Sequence, residues 1–229
     1  MRILKAMADH VSSQPSLTLK YDSDMEIVTS ALEKIQFSAS GEAMLSRPDK
    51  FRISRTGGYA DIELVSDGIH VTLSDKDHKR FAQVPGSGSF DQIVDRLRTE
   101  LMVELPGADL LLSKAYDELA AGVIEAKHVG RGVVEGVECE HLAFRNTDTD
   151  WQIWIEAGER PVPRKYVITS KTVAAAPQYT LRIRDWKSGV SINPEAFKYT
   201  PPADYSGVAV TALTDIDEVP AGAAQGVSK

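Results

Sequence analysis

The chain has 229 residues, a formal net charge of −7 and 42% hydrophobic residues, enough apolar material for a core and too much for a disordered polymer. Lys and Arg are scattered singly among an acid excess, which excludes the clustered basic footprint of a nucleic-acid binder and of an anionic-membrane binder. Cys139 is the single cysteine, so no intramolecular disulfide can form, and no run of about 18 apolar residues offers a membrane span.

Ile3, Leu4, Met7 and Val11 fall at helical spacing and predict a short amphipathic helix over the first dozen residues, with Pro15 beyond its end. From Leu17 to Val84 the period changes to two. LTLKYD, LEKIQFSASGEAMLSR and KFRISRT alternate or nearly so. Phe51 and Ile53 share one face, with Arg52 and Ser54 on the other. Ile62 and Leu64 oppose Asp61 and Glu63, Val71 and Leu73 repeat the pattern, and RFAQV follows. The breaks carry turn chemistry at Arg47-Pro48-Asp49, Gly57-Gly58, Ser66-Asp67-Gly68 and Asp75-Lys76-Asp77. Strands at this spacing predict an antiparallel meander.

Ser89 with Gln92 forms a capping box that opens a helix. Its apolar stripe is Phe90, Ile93, Val94, Leu97 and Leu101, with Pro106-Gly107 as the expected end and one or two short helical turns following to about Gly122. Strand periodicity then returns, with a hairpin turning near Val134 to Gly136. Trp151, Ile153 and Ile155 share a face opposite Gln152, Trp154 and Glu156. RKYVITSKT follows, and in the last strand Tyr179, Leu181 and Ile183 oppose Arg182 and Arg184. Past Tyr205 the composition thins. Residues 1–205 therefore read as one domain and 206–229 as a frayed C-terminal tail.

The expected fold class is α+β, mostly β: an antiparallel sheet with one charged face in water and one apolar face covered by the N-terminal helix and the central helical segment. A twisted sheet curling around a few helices leaves room for a cavity between the layers. Its candidate walls are Phe51, Ile53, Ile62, Leu64, Val71, Leu73, Trp151, Ile153, Ile155, Leu181 and Ile183 from the sheet. Phe90, Ile93 and Leu97 come from the cover, which is expected to shift off the sheet to admit a ligand.

No constellation of catalytic residues emerges. Gly86-Ser87-Gly88-Ser89 lacks the lysine and the strand-to-helix setting of a phosphate loop, and no Gly-x-Ser-x-Gly elbow is present. Asn146, Asp148 and Asp150 copy the first ligands of a calcium loop, but Trp151 and Ala157 stand where its glycine and bidentate glutamate belong. A polar turn feeding the next strand is the better reading. Cys139 and His141 lie two apart on a strand and share a face, with His128 across the hairpin. Zinc asks for more ligands than this, so a half-buried histidine is favoured over a metal site. No catalytic residue, metal ligand or cofactor is assigned.

Two runs carry a family resemblance. FSASGEAMLSRPDKFRISRTGGYADIELVSDGIHVTLSDKDHKRFAQVP is the first, and GVVEGVECEHLAFRNTDTDWQIWIEAGERPVPRKYVITSK, followed by PQYTLRIRDW and FKYTPP, is the second. They resemble a bacterial family of predicted periplasmic proteins of unknown function, domain-of-unknown-function family 2092. Arg47-Pro48, Asp67-Gly68, Gly136 to Leu142, Trp151 to Trp154, Pro163-Arg164-Lys165 and Pro201-Pro202 carry the match. That family is similar to the outer-membrane lipoprotein carriers LolA and LolB and, more distantly, to the N-terminal domain of the regulator RseB and mycobacterial lipid-binding lipoproteins. The resemblance implies a half-open antiparallel barrel whose helices cover an apolar cavity. It implies a non-enzymatic periplasmic carrier of a lipid, acyl chain or other apolar ligand, or alternatively a sensor module that binds an envelope protein. MRILKAMADH lacks the apolar centre of a signal peptide, so an exported location implies that the signal has been removed from this sequence. The carriers' functional arginine inside the cavity has no assignable counterpart here.

Overall fold

In a computed structural model, residues 1–100, 103, 105–213, 216–220 and 222–223 are described. Helix α1 (Arg2–Ser12) leads into β1 (Ser16–Val28), and β2 (Lys34–Ser46), β3 (Lys50–Gly57), β4 (Ile62–Asp67), β5 (His70–Asp75) and β6 (Arg80–Pro85) follow as a meander. Helix α2 (Phe90–Thr99), a 3-10 turn (Ala108–Leu111) and α3 (Ala115–Ala120) cross to the opposite side. There β7 (Glu125–Val134), β8 (Val137–Arg145), β9 (Thr149–Glu156), β10 (Pro163–Ser170) and β11 (Gln178–Ser188) return toward the middle, and β12 (Ser206–Gly207) comes last. Among the described residues the twelve strands form one curved, unclosed sheet in the order β12-β6-β5-β4-β3-β2-β1-β11-β10-β9-β8-β7. Every pairing among the described residues is antiparallel except β12 on β6. The first strand is thus central, paired with its neighbour β2 and with the distant β11.

Local chemistry explains most of these elements. Ser89 and Gln92 form the expected capping box at α2. The hairpin between β7 and β8 turns on Glu135 and Gly136, both left-handed at φ 50° and 83°, the twist that two-residue hairpins prefer. The expected end of α2 at Pro106-Gly107 is corrected: the helix stops at Thr99, and the Val103 N–H turns back to the Leu97 carbonyl at 2.9 Å. Leu101, assigned to the helical stripe, lies outside the described residues.

The helices cover the concave face. Leu4, Met7 and Val11 of α1 and Phe90, Ile93, Val94 and Leu97 of α2 are buried in one continuous core. Phe90 meets Phe51 edge-on, with ring centroids 5.3 Å apart. On the convex face, serine, aspartate and arginine form cross-strand ladders over β2, β1 and β11: Ser40–Asp22–Arg184 and Ser38–Asp24–Arg182.

The expectation that the convex face stays in water is corrected over β3 to β6. After β11 the chain runs back across that face, and a 3-10 turn (Pro194–Phe197) packs on β3 and β4 with Phe197 buried. Arg52 anchors this turn through the Ala196 carbonyl at 2.8 Å, while Tyr199 Oη donates to Ser74 Oγ at 3.0 Å. Beyond Tyr205 the described chain stays in contact with the sheet. Ser206 and Val208 donate to the Lys79 and Phe81 carbonyls, Leu213 is buried in the core, and Ile216 packs against it. Apolar residues at 208, 210, 213 and 216 give the segment something to bury despite its thin composition. Residues 214, 215, 221 and 224–229 lie outside the described residues.

Candidate functional site

Concave-face side chains line up in rows across the paired strands. One row runs Leu19, Ala43, Ile53, Leu64 and Leu73 over β1 to β5. The next runs Ile183, Tyr21, Gly41, Arg55 and Ile62. Strand β2 supplies only small inward residues here, Ala39, Gly41 and Ala43, so the sheet is hollow where its neighbours are bulky. Above the hollow lies the connection from Val103 to Leu111, held down by Arg98 through Asp109 (2.8 Å) and the Leu105 carbonyl (3.2 Å).

Between the two is a cavity of about 110 Å³. Leu19, Ala43, Ile53, Leu64, Leu73, Leu181 and Ile183 form its floor and walls, and Leu105, Pro106, Leu110 and Leu111 its roof. Six of the fourteen candidate wall residues line it: Ile53, Ile62, Leu64, Leu73, Leu181 and Ile183. The structure places the other eight elsewhere in the core. Phe51, Val71, Phe90, Ile93 and Leu97 sit where α2 packs on the sheet, and Trp151, Ile153 and Ile155 lie on β9, near α1. The cover directly over the cavity is the 105–111 connection rather than α2.

The cavity has one polar end, which sequence reasoning missed. Arg55 follows Phe51 and Ile53 on the inward face of β3, and its Nη2 donates to the Ile216 carbonyl. Ser23 Oγ donates to Glu218 Oε2 at 3.1 Å. Burial pushes the Glu218 carboxyl above the usual range, against the pull of Arg55 and the Ser23 hydrogen bond. The Tyr21 and Tyr179 phenols flank this cluster, and burial pushes both upward. Two signals were available: the two-residue period carries Arg55 inward with Phe51 and Ile53, and alternate Ala39, Gly41 and Ala43 mark a hollow.

Elsewhere the residues weighed for metal chemistry have other uses. His141 stacks on Trp154 at 4.0 Å and shares a hydrogen bond with Gln152. His128 Nε2 meets Glu140 Oε2 at 2.7 Å, and Cys139 is buried with its thiol pushed up by that burial. Asn146 Oδ1 accepts from Trp151 Nε1 and Asp150 faces Arg145 and Lys171, as a turn feeding β9 requires. Among the described residues no group of three or more His, Cys, Asp or Glu is disposed to hold a metal. None of their helices is long and apolar enough to cross a membrane.

A curved, half-open antiparallel sheet whose concave face is covered by helices is the architecture of the LolA-like class. The chain belongs to the family described as predicted periplasmic protein (DUF2092), whose profile matches residues 1–211. The family places the protein in the periplasm. Among solved structures, LprF from Mycobacterium bovis aligns at TM-score 0.51 and 11% identity over 90% of this chain and 96% of its own. The Mycobacterium tuberculosis lipoprotein LppX aligns at TM-score 0.48 and 11% identity, over 84% of this chain and 97% of that one. The Pseudomonas aeruginosa MucA/MucB complex gives TM-score 0.41 and 10% identity, over 87% and 60%. At such identities the likeness to LprF bears on the fold alone. A search of curated proteins finds no match.

Proposed function

We propose that this protein is a non-enzymatic periplasmic binding protein that takes an apolar ligand, an acyl chain or lipid tail, between its sheet and the 105–111 cover. The observation carrying this reading is the cavity itself, an apolar hollow created by small residues on β2 and roofed by a connection without regular strand or long helix. At about 110 Å³ it falls short of the roughly 150 Å³ that accepts one benzene-sized molecule. The closed form therefore has room for the end of a chain, and a full acyl tail enters only as the cover lifts. Each methylene buried contributes roughly 0.8 kcal/mol, which supplies affinity without any polar contact.

The test is a titration of the delipidated protein with a fluorescent fatty acid, alongside mass spectrometry of the organic extract of natively purified protein. Ala43→Phe fills the hollow from β2 and is expected to abolish binding while leaving a cooperative thermal transition. Absence of both fluorescent binding and any extracted lipid overturns the reading.

A second reading, a module that binds an envelope protein, rests on β7. Among the described residues this strand is paired on one side only and exposes Val129 and Val133 at 56% and 67%. Such an edge accepts an extended segment by strand addition. A stable partner recovered from envelope extracts and lost on Val133→Lys favours it.

A further inference from the structure

The ligand's head is legible at the polar end of the same cavity, an inference that rests on the binding reading above. We propose that the cavity takes a single-chain amphiphile with a carboxylate head, a long-chain fatty acid, whose carboxylate docks at Arg55 in the place now closed by residues 216–218.

Three observations carry this. Arg55 is a fixed positive charge among apolar walls, and it points inward because β3 pairs Arg55 with Gly41 on one side and Ile62 on the other. Among the described residues its side-chain hydrogen bond goes to a backbone carbonyl, that of Ile216, rather than to a carboxylate. A guanidinium offers five donors in a fork that matches a carboxylate, which a single backbone carbonyl does not. A carboxylate nonetheless already stands at the mouth: Glu218 accepts from Ser23 Oγ at 3.1 Å and feels the Arg55 charge. It is the chain's own stand-in for a ligand head.

The chain that carries Glu218 is anchored before it reaches the cavity. It is tethered upstream, where β12 pairs with β6 and Arg80 Nη1 holds the Ala212 carbonyl at 3.1 Å. An incoming fatty acid exchanges the Arg55–Ile216 hydrogen bond for a charge-assisted one and slides its tail along Leu181, Ile183 and Ile53. Displacing 216–218 is then part of binding, and Glu218 competes directly with the ligand's own carboxylate.

The experiment compares a fluorescent polyene fatty acid with its methyl ester on the full chain. The acid is expected to bind about tenfold or more tightly than the ester, the scale of one charged hydrogen bond. Arg55→Met should remove that preference, bringing acid and ester to similar affinities, and Arg55→Lys should restore part of it. Glu218→Ala should raise acid affinity severalfold by removing the competitor. Equal binding of acid and ester, with Arg55→Met changing neither, overturns this inference and leaves apolar binding standing. Binding of neither probe overturns both.

Discussion

Tyr21 lies across Gly41. The phenol ring passes over the bare α-carbon, and its hydroxyl donates to the Ser54 carbonyl at 2.9 Å on the next strand. A Cβ at position 41 would stand 2.4 Å from the ring and 2.1 Å from that carbonyl. The ring's position, and with it one wall of the cavity, depends on a glycine.

Gly41→Ala should therefore destabilise the protein by about 1–3 kcal/mol, the usual range for overpacking, and alter the near-UV signal of the displaced tyrosine. Tyr21→Phe removes only the hydrogen bond and should cost about 1 kcal/mol. Urea unfolding of the two variants checks the order; a Gly41→Ala variant as stable as the parent would contradict the account.

Arg47 ties three elements together near the turn between β2 and β3. Its Nε donates to the Gln14 carbonyl beyond α1 at 3.2 Å, and its Nη2 to the Leu111 carbonyl at the end of the cavity roof at 2.6 Å. Arg47→Met keeps the stem and loses both bonds, so stability should fall by about 2 kcal/mol. Entry of a fluorescent fatty acid should become faster, measured by stopped flow.

Asp75 is nearly inaccessible, its side chain 2% exposed, and Arg80 Nη2 donates to it at 2.7 Å. Burial alone would raise its carboxyl, but hydrogen bonds from Arg80 and His78 outweigh this and hold it below the usual range. A depressed folded pKa stabilises the fold above the ordinary aspartate value, and this contribution is lost as pH falls through the folded value. Asp75→Ala should cost about 3 kcal/mol at neutral pH, the loss expected when a buried pair is broken. The variant should also show a shallower acid limb in unfolding curves, and faster proteolysis near Ala212, where Arg80 holds the chain.

Glu218 carries the opposite sign. Its carboxyl is raised by burial, and the groups facing it are Ser23 and Tyr21 from β1, Arg55 from β3 and Tyr179 from β11. Below the ordinary carboxyl value the seated and released forms are both neutral. As pH rises toward the folded value, the released form ionises first, so the seat weakens. Amide exchange in residues 216–219 should accelerate beyond the intrinsic rate as pH rises above the ordinary carboxyl range, and Glu218→Gln should flatten that dependence.

Much of the sheet was legible because alternation and turn chemistry are local. The capping box at Ser89 and the turn at Glu135-Gly136 each act within four residues. The cavity was legible only in part, since volume depends on which rows face each other across strands. Phe51 and Ile53 share a face and a strand, yet Phe51 meets Phe90 while Ile53 meets the hollow. The contacts made after Tyr205 were hidden for another reason. Its pairing with β6 is a parallel bridge between distant parts of the chain, and nothing in a local period announces that.

The central placement of β1 has a consequence for how the molecule is assembled. Strands β1 to β6 and β7 to β11 are two ribbons of successive hairpins, joined along the single seam where β1 meets β11. Closing that seam brings together residues as remote as Leu17 and Ser188, the kind of long-range step that slows folding. The binding hollow straddles the seam: Ile53 and Leu64 belong to one ribbon, Leu181 and Ile183 to the other. A chain cut between Gly107 and Gly122 would yield two fragments, neither able to bind alone. A fluorescent fatty acid that lights up on mixing them would time the joining of the ribbons, making ligand capture a clock for the last step of folding.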